Sequence, residues 1–263
     1  MPTIKINDAE FYYELRGTGQ PVVLIAGYTC DSQVFITIPA ELSKHYQVLL
    51  IDNRAIGRTK DDGRALTVEL MADDVMTIIN NLKLVKPHLV GHSMGGTIAQ
   101  CIASQYPDKI GKLVLLATTA KWREAMLRGG QSILDLRQKN LDFDTIFNAI
   151  LAWVFGQKFL SSSKCVAVLK AAFQTNPHPQ SLVDQERQYA ALKKWDGREQ
   201  LAKITAPTLV VYGTQDLISL PYESNYLVEH ISNAKSAEID CAHGFFGEEP
   251  EAILKALLDF FSK

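Results

Sequence analysis

The sequence predicts an α/β fold: a mostly parallel central sheet with helices on both faces and a helical cap inserted late in the chain. Three observations lead there. Apolar runs without alternation, at 22–26 and 48–51, read as strands buried on both sides. Segments of helical spacing alternate with them, which is the pattern of a parallel sheet. After residue 120 strand signals stop, and they return at 208–212.

In chain order, 4–6 and 11–15 read as two opening strands, the second leading into the turn Gly17-Thr18-Gly19. The runs 22–26 and 48–51 follow. Residues 69–82 are helical, with Leu70, Val75, Ile78, Ile79 and Leu82 on one face. A short strand at 87–90 precedes a helix at 95–106 that stops before Pro107, and 112–117 forms the next strand. Between 121 and 200 only helix-like stretches occur, at 122–136, 143–155 and 164–173, broken at Asn176-Pro177-His178-Pro179. A short strand at 237–239 and a terminal helix at 251–261 close the chain. This divides it into a core of residues 1–120 and 201–263 and a cap of residues 121–200. Such an insertion is expected over the strand ends, where open α/β sheets bind ligands.

At 263 residues, 47% hydrophobic and a formal charge of −2, the chain has the makings of a substantial core and no basic run to attract nucleic acid or an acidic membrane. No apolar run approaches the roughly 18 residues of a membrane span, and the N-terminus reads as a strand, not a secretory signal. Cys30, Cys101, Cys165 and Cys241 are widely spaced, so each is expected to be a small buried hydrophobe in a reducing compartment, by default the cytoplasm. Neither zinc-ligand spacing nor a phosphate-binding Gly-x-Gly-x-x-Gly is present, and no metal or cofactor is expected.

Gly91-His92-Ser93-Met94-Gly95 has the form Gly-x-Ser-x-Gly and joins a strand to a helix. A turn that sharp strains the serine backbone and lifts its hydroxyl to a helix N-terminus, where N–H groups stabilise negative charge. Ser93 is therefore the candidate nucleophile. His92, next to it on the turn, is expected to point elsewhere and serve structure.

A serine hydroxyl needs an imidazole to take its proton and a carboxylate to hold that imidazole's tautomer. In this architecture they follow in the order Ser, Asp, His, each in a loop after a strand. Asp216 sits just beyond the 208–212 strand. Of the two later histidines, His230 falls in a surface helix, while His243 lies in a loop after the 237–239 run, which makes His243 the base. Asp240 is too close to His243 in sequence to come from a separate strand end, and a Cys241 nucleophile would leave the turn at Ser93 unused.

Together, Val22-Val23-Leu24-Ile25-Ala26-Gly27, Asp52-Asn53-Arg54-Ala55-Ile56-Gly57-Arg58-Thr59, the serine turn, Tyr212-Gly213-Thr214-Gln215-Asp216 and Ala242-His243-Gly244 resemble the α/β-hydrolase superfamily over essentially the full chain. The resemblance implies an oxyanion hole made by the backbone N–H groups of Tyr28 and Met94. Two departures stand out. Ala26 replaces the family's usual histidine, removing a side-chain brace from the Tyr28 loop, and Ala55 replaces a glycine, which is expected to reshape a turn near the pocket. Asp52-Asn53-Arg54 and the cap segment 153–160 look most like the 3-oxoadipate enol-lactonase group and small carboxylesterases, with Trp153 and Phe155 as substrate-binding candidates.

The expected activity is hydrolysis of a small-molecule ester or lactone. Haloalkane dehalogenases and epoxide hydrolases resemble a variant with aspartate at position 93, so Ser93 argues against both. Three other readings share these residues: a carrier-protein methyl esterase of a biosynthetic pathway, a slow ligand receptor, and a carbon–carbon bond hydrolase. For the first, Lys139, Lys158, Lys164 and Lys170 in the cap are the residues available to an acidic acyl carrier protein.

Overall fold

The computed structural model describes residues 2–263. Eight strands form one sheet: β1 (Thr3–Ile6), β2 (Ala9–Arg16), β3 (Pro21–Ile25), β4 (Gln47–Ile51), β5 (His88–His92), β6 (Leu113–Leu116), β7 (Thr208–Gly213) and β8 (Ala234–Ile239). Their spatial order is β1-β2-β4-β3-β5-β6-β7-β8. β1 and β2 pair antiparallel, as do β2 and β4, and every later pairing is parallel. β8 is longer than the expected 237–239 run. As an edge strand it needs no apolar alternation, and Lys235 and Glu238 on it are exposed.

Alternation along β3 shows how the sheet is covered. Val23 and Ile25 pack with α2 (Val68–Asn81) and α3 (Met94–Gln105), while Val22 and Leu24 pack with the short α1 (Ile38–Leu42). From β6 to β7 the chain makes α4 (Glu124–Gln138), α5 (Phe143–Val154), α6 (Gln157–Leu160), α7 (Ser163–Gln174) and α8 (Leu182–Lys194). After β7 come α9 (Pro221–His230), then α10 (Phe245–Glu248) and α11 (Pro250–Phe261) on either side of Glu249. α11 shares the face of α1, burying Ile253 and Leu257. Among the described residues no helix is long and apolar enough to cross a membrane.

The thiols depart from expectation in part. All four cysteines are free; Cys101 and Cys241 are buried, Cys30 is half-buried, and Cys165 is exposed. The reason for Cys165 is its helix: α7 buries none of its residues. Ala55 has φ 63°, a left-handed conformation that glycine adopts freely and that costs an alanine about 1–2 kcal/mol.

The parallel strands run away from β3 in both directions, to β4 on one side and to β5 on the other. Open α/β sheets bind ligands where the strand order reverses in this way, beyond the carboxyl ends of β3 and β5. The loops leaving β3, β5, β7 and β8 there contain Tyr28, Ser93, Asp216 and His243.

Candidate active site

Ser93 occupies the junction of β5 and α3 with φ 54° and ψ −118°, a conformation rare outside glycine. The surroundings hold it there. Ser93 N donates to Leu116 O on β6 at 2.9 Å, and Thr118 Oγ1 donates to Ser93 O at 2.8 Å. The flanking glycines are a steric requirement: a Cβ on Gly91 would strike the Gly95 backbone, and one on Gly95 would strike the Ile25 carbonyl.

The loops after β7 and β8 bring the other two groups to this hydroxyl. His243 Nε2 lies 2.9 Å from Ser93 Oγ, and His243 Nδ1 lies 2.8 Å from Asp216 Oδ2. A carboxylate only accepts, so Nδ1 carries the proton and Nε2 presents its lone pair to the serine hydroxyl. Asp216 is fixed in turn, its Oδ1 accepting from Ile218 N at 2.8 Å and Ser219 N at 3.0 Å. Ser93, Asp216 and His243 are 6%, 1% and 6% exposed, so the hydrogen bonds are shielded from water.

The neighbouring candidates fall outside this cluster. His230 is exposed on α9, stacked on Tyr226 with ring centroids 3.9 Å apart. Asp240 is exposed and bound to Thr214 and Gln215. Burial pushes the Cys241 thiol above its ordinary range and keeps it protonated. His92 donates from Nε2 to the backbone carbonyl of His243 at 3.2 Å, bracing the histidine loop. Burial, with His243 beside it, lowers the pKa of His92 to about 3, so it stays neutral.

Among the described residues, neither Met94 N–H nor Tyr28 N–H has an acceptor. Met94 begins α3, and Gly27, preceding Tyr28, passes so close to the serine turn that a Cβ on it would sit 3.0 Å from Ser93 Cβ. The loop lacking histidine at position 26 has a different brace: Asn53 Nδ2 donates to Ala26 O at 3.1 Å.

On the His243 side, the segment following α5 packs against the loop that carries His243. Phe155 packs its ring against Gly244 and stacks on Phe159, with centroids 4.2 Å apart. Trp153 lies across Gly129 of α4 and is 39% exposed. Gly244 N donates to Val154 O at 2.7 Å. The Glu248 carboxylate accepts from Gly156 N at 2.9 Å and from Ala242 N at 3.1 Å, tying α5–α6 to the histidine loop. Burial raises the pKa of Glu248, and these N–H donors draw it part of the way back. Glu248→Ala would leave two backbone donors unpaired, so a loss of about 2–3 kcal/mol in unfolding free energy is expected. Amide exchange at Gly156 and Ala242 should quicken with it; unchanged protection at both would show that the carboxylate does not clamp them. Of the lysines considered for a carrier protein, Lys158 pairs with Glu249 and Lys170 with Asp144, while Lys139 and Lys164 are exposed.

This fold and this serine turn define a class. The chain belongs to the family described as alpha/beta hydrolase fold, whose model matches residues 20–250. Its relatives include RutD of Azorhizobium caulinodans, named provisionally as a carbamate hydrolase, at 28% identity over 99% of this chain and 98% of that protein. The 3-oxoadipate enol-lactonase 1 of Acinetobacter baylyi is 28% identical over 84% of this chain and 80% of its own. Among solved structures, the enol-lactonase from Burkholderia xenovorans LB400 matches 100% of both chains with a TM-score of 0.87 at 24% identity, a likeness of fold.

The sequence alone does not mark Asn53, Gln188 and Glu248 as parts of the site. Each binds backbone far away in the chain, Asn53 at Ala26, Gln188 at Thr29 and Arg54, and Glu248 at Gly156, so no local pattern marks them. Gln188 alone had a signal. With Gln185 it interrupts the buried face of α8 beside Tyr189 and Leu192, and a buried amide must find a partner.

Proposed function

We propose that the chain hydrolyses small carboxylic esters or lactones through an acyl-enzyme on Ser93. The observation that carries this reading is the chain of contacts Ser93 Oγ, His243 Nε2, His243 Nδ1, Asp216 Oδ2, at 2.9 and 2.8 Å, set on a strained strand-to-helix turn. Ser93 Oγ attacks the carbonyl carbon while His243 Nε2 takes its proton, and Asp216 stabilises the imidazolium that forms. The backbone N–H groups of Tyr28 and Met94 receive the developing oxyanion. His243 then returns the proton to the leaving oxygen. In the second half, His243 deprotonates water, which attacks the acyl carbon and releases Ser93. Residues 121–200 act as the cap over a core of 1–120 and 201–263, with Phe155 and Trp153 as substrate-contacting side chains. The enol-lactonase relative supports the ester and lactone class.

A fluorophosphonate probe and a panel of short p-nitrophenyl esters, a lactone and a p-nitrophenyl carbamate test this. Wild type should label and turn over the esters or the lactone. Ser93→Ala should not label, and its kcat should fall by about 10⁶-fold. Labelling that persists in Ser93→Ala would sink the nucleophile. Labelling of wild type with negligible turnover across the panel would replace the hydrolase with a slow ligand receptor.

A further inference from the structure

Gly27, Tyr28, Thr29 and Cys30 form a β-turn closed by Cys30 N donating to Gly27 O at 3.3 Å. Thr29, third in the turn, has φ 61°. A turn with positive φ at that position is the province of glycine or asparagine, and a β-branched residue there is strained. Such strain persists only where the surroundings over-determine it.

What holds it comes from α8. Thr29 N donates to Gln188 Oε1 at 3.2 Å, and Gln188 Nε2 donates to Arg54 O at 2.8 Å. Gln180 Nε2 donates both to the same Gln188 Oε1 at 3.0 Å and to Ala55 O at 2.7 Å. Gln188 is 0% exposed. Its amide has one orientation, because a flip would set NH₂ against two donors and oxygen against a carbonyl. α8 is anchored to the core as well: Arg187 forks onto Asp61 at 3.0 and 2.8 Å and donates to Arg64 O at 2.8 Å.

The peptide planes on either side of Tyr28 N–H are therefore both pinned. Asn53 holds the Ala26 carbonyl, and Gln188 holds the Thr29 N–H. We propose that Gln188 is a positioning residue for the oxyanion hole: through Thr29 N it keeps the Gly27–Cys30 turn strained and so aims Tyr28 N–H at the reacting carbonyl. It stands in for the histidine brace that Ala26 cannot supply. The inference rests on the proposed role of Tyr28 in ester hydrolysis.

Without the acceptor, the central peptide of the turn is free to flip and let Thr29 relax to negative φ. Misplacing an oxyanion donor by a fraction of an ångström weakens transition-state binding far more than ground-state binding. With p-nitrophenyl acetate, Gln188→Met should lower kcat on the order of 10- to 100-fold and leave KM within about twofold. Inhibition by an alkylboronic acid should weaken in parallel. Gln188→Glu keeps an acceptor for Thr29 N but puts a carboxylate beside the Arg54 carbonyl. It should lose at least as much stability as Gln188→Met while keeping kcat within a few-fold of wild type. Adding Thr29→Gly to Gln188→Met supplies a residue at home at positive φ and should restore most of kcat.

All variants are compared below their melting temperatures, beside Ser93→Ala. If kcat follows stability, with both Gln188 variants equally impaired and no rescue by Thr29→Gly, Gln188 is a packing residue and the inference fails. An unchanged kcat in Gln188→Met also overturns it. If Ser93→Ala stays active, the hydrolase reading fails and takes this inference with it, whereas an inactive Ser93→Ala beside an unaltered Gln188→Met overturns this inference alone.

Discussion

Asp216→Asn is expected to lower kcat by about 10⁴-fold, or about 5.5 kcal/mol of barrier, with the fold and KM little changed. The reason lies in what holds the carboxylate. Asp216 Oδ1 accepts from two backbone N–H groups, Ile218 at 2.8 Å and Ser219 at 3.0 Å. In an asparagine the carbonyl oxygen must take that position, since the NH₂ would face two donors. The NH₂ is then left facing His243 Nδ1, where Asp216 Oδ2 sits at 2.8 Å. It donates into Nδ1, which drives the imidazole proton to Nε2, the atom 2.9 Å from Ser93 Oγ. The ring keeps its place and loses its basicity toward serine. Single-turnover kinetics with a p-nitrophenyl ester would show a slow acylation step at normal substrate affinity. A fall of less than tenfold would mean that His243 does not depend on Asp216 for its tautomer.

Much of the candidate site was legible because its members depend on chain order and local shape. A turn bounded by Gly91 and Gly95 between a strand and a helix has few uses, and the order Ser93, Asp216, His243 leaves one histidine once His230 is seen to lie on a surface helix. The parallel strands were legible because burial on both faces makes them continuous apolar runs, as in β3 and β4. β8 was half-legible, since an edge strand with Lys235 and Glu238 carries no such signature. α1 is five residues long and too short for periodicity to declare itself. The brace at Ala26 was the instructive case. The absence of histidine was visible in the sequence, but its replacements, Asn53 from the loop after β4 and Gln188 from α8, are 27 and 159 residues from the backbone groups they bind. Polar contacts at that range are made by the tertiary fold and leave no periodic trace.

Arg54→Met is expected to cost about 3–5 kcal/mol of unfolding free energy and, for a domain of this size, about 10 °C in Tm. Arg54 is 1% exposed, and its guanidinium forks onto Asp74 of α2, with Nε to Oδ2 at 2.5 Å and Nη2 to Oδ1 at 2.9 Å. Nη2 also reaches Asp8 at 3.0 Å, and the group lies 5.4 Å from the centre of the Phe11 ring. Methionine fills the volume and removes the charge, leaving Asp74, 4% exposed, as a buried carboxylate without a counter-ion. Asp8 is not stranded in the same way, since its side chain is 20% exposed and it retains Arg64. The cost therefore belongs to Asp74 and not to the pair as such, because the desolvation of two buried ions offsets most of their attraction. It follows that Arg54→Met with Asp74→Leu should recover most of the loss, whereas Arg54→Lys, which keeps the charge and loses the fork, should recover only part. Denaturant unfolding of the three variants separates these cases. A double variant as unstable as Arg54→Met would show that Arg54 stabilises the fold by some route other than neutralising Asp74.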